Sequence, residues 1–140
     1  MSINIEAGSR SKVLIVDDDP GIRNLYQAFL EKFGFMPIIT GTPGEGFVLF
    51  EANRDTHLVI LDRDLPEMRG EIVAQRIREI SGKTDDPYIL MITGDNPKEL
   101  DIPSIFARGV DELMYKPIVP MVRVIQTLTL ANQRFQNPRS

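Results

Sequence analysis

Short, unbroken apolar runs alternate along this chain with stretches whose apolar positions recur every three or four residues. The first run, KVLIV (12–16), is rich in β-branched residues and stops at Asp17, Asp18 and Asp19, which predicts a buried strand. Asp19-Pro20 then supplies a helix N-cap with proline at the first helical position. Ile22, Leu25, Tyr26, Phe29 and Leu30 follow at helical spacing, and Gly34 stops that helix. FMPIIT (35–40) is a weaker strand. Thr42 caps a helix through Asn53 whose apolar positions are Phe47, Val48, Leu49 and Phe50. HLVILD (57–62) is a strong strand, and the loop RDLPEMRG leads into a helix, EIVAQRIREI (71–80), with Ile72, Val73, Ile77 and Ile80 on one face. YILMIT (88–93) is a fourth strand. The pattern predicts irregular chain over 94–103, a short helix over 104–108 and a fifth strand, VDELMY (110–115). Pro120 opens a final helix to about Asn132, with Met121, Val124, Ile125 and Leu128 inward.

Five strands alternating with five helices predict an α/β domain with right-handed crossovers and a parallel sheet covered on both faces. The expected domain spans 11–133, between a loose N-terminal tail (1–10) and a C-terminal tail or linker stub (134–140). The 140 residues suit one domain, and 42% hydrophobic with 26% charged residues is ordinary globular composition. A formal charge of −4 argues against the basic surface of a nucleic-acid binder. With no cysteine, disulfides and thiolate metal sites are excluded. With one histidine, His57, so are multi-histidine zinc sites. His57 is expected to be an ordinary residue where its strand begins. No apolar run approaches the ~18 residues of a membrane span, and residues 1–12 lack a signal-peptide core. A cytoplasmic protein with no membrane contact is expected.

In a parallel sheet of this kind, chemistry gathers at the carboxyl ends of the strands. Asp17 and Asp18 end the first strand, and Asp62 ends the third. If those strands are neighbours, three carboxylates meet, and they repel unless a cation neutralises them. All-oxygen ligation points to a hard divalent ion, Mg²⁺ above all. Thr93 and Lys116 end the fourth and fifth strands and bring a hydroxyl and an ammonium to the same edge. Such groups hold phosphoryl oxygens, so the set suits phosphoryl transfer. A simpler reading makes Asp62 a carboxylate opening a turn before Pro66. Asp19 reads better as a helix cap than as a metal ligand.

VLIVDDDP (13–20), LVILDRDLPEMRG (58–70), MITG (91–94) and KP (116–117) occur in this order, at spacing that resembles the response-regulator receiver family, the CheY-like phosphoacceptors of two-component phosphorelay signalling. The resemblance implies the flavodoxin-like fold, with strand order 2-1-3-4-5. It also implies that Asp62 is the phosphoacceptor, and that Asp17, Asp18, Asp62 and the backbone carbonyl of Asp64 hold Mg²⁺. Thr93 and Lys116 would contact the phosphoryl oxygens, and the Lys116-Pro117 peptide would be cis. Implied partners are a sensor histidine kinase or histidine phosphotransfer protein as donor, and a downstream protein target not readable from the chain. Such a domain is a signalling switch more than a turnover enzyme. No output domain is visible in these residues.

The chain departs from the family pattern at several places. Leu113 stands where many receivers carry the aromatic residue of a rotamer switch, and Tyr115, two residues on, is the available substitute. Pro97 and Pro103 predict a shortened fourth helix starting near Pro103. Arg69 replaces a frequent aspartate. Asp64 and Asp95 are acidic where the family tunes phosphoaspartate lifetime. Gly70 and Gly94 are expected to be steric, Gly70 letting the loop enter its helix and Gly94 leaving room for the phosphoryl group. Two alternatives stay open: a haloacid-dehalogenase-like phosphatase using Asp62 and Asp64 within VILDRDLP, and a degenerate receiver acting only as an interaction module.

Overall fold

The structure, a computed structural model, describes residues 11–83 and 86–116. The expected final helix, the Lys116-Pro117 peptide and both tails lie outside these residues. Strands β1 (Lys12–Val16), β2 (Met36–Thr40), β3 (Leu58–Asp62), β4 (Tyr88–Thr93) and β5 (Glu112–Tyr115) form one sheet in the order β2-β1-β3-β4-β5. Every neighbouring pair is parallel. Helices α1 (Pro20–Lys32), α2 (Pro43–Ala52), α3 (Gly70–Ser81) and α4 (Ile102–Ala107) connect them. The expected fold class and strand order are therefore observed.

Unbroken apolar runs follow from burial on both faces. Side chains alternate along a strand, so Leu14 and Val16 of β1 join Val59, Leu61, Val73, Ile77 and Phe50 on one side. Val13 and Ile15 join Leu58, Ile60, Leu90, Tyr26 and Leu30 on the other. A strand with one solvated face would have needed polar residues at every second place.

The helix ends follow their caps. Asp19 accepts from the amides of Gly21 and Ile22, and Thr42 accepts from that of Glu45. Gly34, with φ 82°, takes the left-handed turn after α1. Within the helices, periodicity overstated burial. Ile22 and Leu25 of α1 are exposed, and Val48 of α2 is 68% exposed. Four consecutive apolar residues wrap past one helix face, so Val48 turns outward while Phe50 is buried.

Helix α4 is short, as expected, but begins one residue before Pro103 because Asp101 caps it, accepting from the Ser104 amide at 3.2 Å. Proline is tolerated there, since first-turn amides have no intrahelical partner. A 3₁₀ turn over Pro97–Glu99 breaks the segment expected to be irregular. β5 begins at Glu112 rather than at 110. There the Asp111 carboxylate, not a backbone carbonyl, takes the Ile89 amide at 2.8 Å. Arg78 of α3 braces this corner. It donates to the carbonyls of Gly109 (3.1 and 2.8 Å) and Pro87 and to the Asp111 carboxylate (2.6 Å). None of the helices among the described residues is long and apolar enough to cross a membrane.

Candidate functional site

The pairing of β1 with β3 sets Val16 opposite Leu61, so the residues just after β1 lie beside Asp62, the last residue of β3. Oxygens of Asp17, Asp18 and Asp62 all fall within 4.8 Å of one another. Asp17 and Asp62 are buried at 7% and 4% exposure, while Asp18 is exposed. The three acids singled out from sequence thus meet. Asp19 stays apart as the cap of α1.

The acidic turn after β1 is held from several directions. The Asp17 amide donates to the Thr40 carbonyl at 3.1 Å, and the Asp17 carboxylate accepts from the Asp19 amide at 2.9 Å. Arg23, one turn into α1, donates to the Asp17 carbonyl at 2.8 Å. It does so across Gly41, where an added Cβ would lie 2.8 Å from the guanidinium. Arg23 was not singled out in the sequence. Its signal would have been a basic residue one helical turn beyond the acidic run.

Lys116 reaches in from the end of β5. Its amide donates to the Thr93 carbonyl at 2.8 Å, and its Nζ lies 3.2 Å from both carboxylate oxygens of Asp62. Burial works against its charge, but the hydrogen bond and charge of Asp62, with Asp17 and Asp64 beyond, outweigh it and raise the lysine pKa. Asp17 is pushed up to about 6, first by burial and then by the neighbouring charge of Asp62, despite its bond from the Asp19 amide and the pull of Lys116.

This arrangement fits a divalent cation. The donors are all carboxylate oxygens, they converge, and the most buried pair holds more negative charge than Lys116 offsets. A hard ion relieves that excess, whereas an apolar or anionic ligand would increase its cost.

Thr93 is fully buried, in register with Tyr115, and its Oγ1 accepts from the Asp95 amide at 3.0 Å. The Asp64 amide donates to Asp62 at 2.9 Å, while its own carboxylate accepts from the Gly94 amide at 3.2 Å. Arg69 lies 3.9 Å from the other Asp64 oxygen but is well exposed, so its pull is screened. Gly70 behaves as expected: a Cβ there would sit 2.8 Å from Arg63 Cα and 2.9 Å from the Asp62 carbonyl. At Gly94 a Cβ would make ordinary contacts, 3.7 Å to Lys116 and 3.9 Å to Asp64, so protein packing alone does not require glycine there. Arg63 and Glu71 also escaped the sequence reading. Arg63 forks between Glu71 and Asp95 beside the acidic site.

Comparison with known proteins agrees with this geometry. Residues 13–128 match the sequence profile of the response regulator receiver domain. The chain is 32% identical over 112 residues to the chemotaxis protein CheY1 of Helicobacter pylori, covering 79% of this chain and 89% of that protein. A CheY-like receiver domain from Methanospirillum hungatei superposes with a TM-score of 0.77 at 26% identity, covering 91% of this chain and 98% of that one. The chemotaxis regulator CheY4 of Vibrio cholerae shares the fold, with a TM-score of 0.76 at 24% identity, covering 88% and 99% of the two chains. Sheet order, acidic edge and matched span together lead to one conclusion: the chain belongs to the response regulator receiver domain family.

Proposed function

We propose that this receiver accepts a phosphoryl group on Asp62 from a phosphohistidine donor, with Asp17, Asp18, Asp62 and the Asp64 carbonyl holding Mg²⁺. The observation that carries the reading is the environment of the Asp62 carboxylate, with Lys116 at 3.2 Å and two further acids within 4.8 Å. When bound, the ion supplies positive charge that offsets the anionic cluster and the incoming phosphoryl oxygens. The chain's own groups do the positioning. Burial leaves the Asp62 carboxylate few orientations, and the Asp64 amide and Lys116 hold it from two directions. A carboxylate oxygen forms the new bond to phosphorus, and the bond from phosphorus to the donor's imidazole nitrogen breaks, returning a neutral histidine once protonated. Lys116 then pairs with the phosphoryl oxygens, and Thr93 donates to them. The loop after β4 and helix α4, with Phe106 and Tyr115 exposed nearby, pass the change to a downstream protein as a shift between two pre-existing states. Water later hydrolyses the acyl phosphate, so the domain acts as a switch.

The test is incubation with acetyl phosphate and Mg²⁺ followed by mass spectrometry. One phosphoryl addition is expected, absent in Asp62→Ala. Addition that persists in that variant, or none in the wild type, refutes the assignment. Failure of the wild type to bind beryllofluoride as well would favour the interaction-module reading.

A further inference from the structure

Two loops flank Asp62, and a four-residue chain of polar contacts joins them. Glu71, in the first turn of α3, is buried. Its oxygens accept from Arg63 Nε at 3.2 and 3.3 Å and from Nη2 at 3.2 Å. The other arm of the same guanidinium, Nη1, reaches the Asp95 carboxylate at 2.5 Å. The Asp95 amide in turn donates to the Thr93 hydroxyl. Arg63 has little freedom to move. Its amide bonds the Ile92 carbonyl at 2.8 Å, its carbonyl takes the Gly70 amide at 3.0 Å, and its side chain is 13% exposed. A second tie, from the Gly94 amide to the Asp64 carboxylate, runs parallel to it. Arg69 stands 3.9 Å from Asp95 but is well exposed, so its pull is screened.

We propose that Arg63 is a positioning residue. It latches the loop after β4 to the buried Glu71, and so holds the Thr93 hydroxyl to its own loop rather than to the phosphoryl site. Arginine suits the task because its planar fork serves two carboxylates at once, which a lysine ammonium on a flexible stem does poorly. Opening the latch costs the Arg63–Asp95 pair, and that cost sets the fraction of molecules ready to take up a phosphoryl group. Weakening the pair therefore raises that fraction, and phosphoryl analogues bind more tightly because less of their binding free energy goes into opening the loop.

This inference rests on the phosphoacceptor reading, and the experiment separates the two. Beryllofluoride with Mg²⁺ is titrated by ¹⁹F NMR into the wild type, Asp95→Ala, Arg63→Lys and the double variant, with urea midpoints measured alongside. Asp95→Ala leaves the Arg63–Glu71 pair intact, and Arg63→Lys keeps a cation beside Glu71, so neither strips the buried acid of its charge partner. Both single variants are expected to bind roughly 2- to 10-fold more tightly than the wild type. The double variant should gain little more, because both changes open the same contact. A purely structural role would lower the urea midpoint without tightening binding. Unchanged or weaker binding by Asp95→Ala overturns the latch. So does tightening by Asp95→Ala but not by Arg63→Lys, which would reduce the effect to removal of one negative charge near an anion. If the wild type itself does not bind, the phosphoacceptor reading fails first.

Discussion

Replacing Asp17 by asparagine is expected to make the metal-free protein more stable, although it removes a metal ligand. Burial and the charge of Asp62 raise the Asp17 pKa from 3.8 to about 6. A carboxylate with a raised folded pKa binds its proton more tightly in the folded state than in the unfolded chain. Its contribution is fully present below the unfolded pKa and is lost as pH rises through the folded one. From those two values, ionising Asp17 costs the fold less than about 1 kcal/mol near pH 4 and about 3 kcal/mol near pH 7.5. Asparagine carries no charge, yet its carbonyl can still accept from the Asp19 amide, so the turn keeps its bond. Urea denaturation of both proteins in chelator should therefore show Asp17→Asn gaining stability at neutral pH, with the gap nearly closed near pH 4. Added Mg²⁺ should close most of that gap at a hundredfold excess over its Kd and reverse the order at a thousandfold excess, where an ion that binds only the folded state stabilises by about 2.7 and about 4.1 kcal/mol respectively. The comparison cancels titrating groups remote from Asp17, which the two proteins share, and Lys116 stays charged throughout this pH range. A variant no more stable than the wild type at neutral pH, or a gap that does not change with pH, would refute the claim that Asp17 sits ionised at a cost.

Gly70→Ala should cost about 1–3 kcal/mol, because the new Cβ meets Arg63 Cα and the Asp62 carbonyl, both backbone, and the usual helical gain from alanine is smaller. The same shift moves Asp62, so acetyl phosphate labelling should slow; wild-type stability and labelling would show that the loop yields freely. Arg78→Met should cost about 3 kcal/mol in urea denaturation, since it takes the donors from two carbonyls and the charge partner from Asp111 while keeping much of the apolar stem. A loss under about 1 kcal/mol would mean that solvent replaces those bonds.

How much of this protein could be read from one dimension depended on the kind of signal. Strands β1, β3 and β4 were recognisable because burial on both faces demands unbroken apolar runs, and the acids that end those runs were then located by strand polarity. Caps were recognisable because they are local: Asp19 before Pro20, and Thr42 three residues ahead of Glu45. The boundaries of α4 and β5 were not, since Asp101 and Asp111 shift them through bonds made in the folded chain.

What the sequence determined by itself is the sequence of elements, the sheet edge where they end and the types of residue waiting there. The tertiary structure alone decided which charges pair. Beyond Lys116, already expected at the edge of Asp62, it set Arg63 between Glu71 and Asp95 and Arg78 on Asp111, and it turned Val48 to solvent. The reason is physical. Burial leaves a periodic trace that any window of residues carries, whereas an ion pair depends on the separation of two side chains, which exists only once the sheet has brought distant segments together.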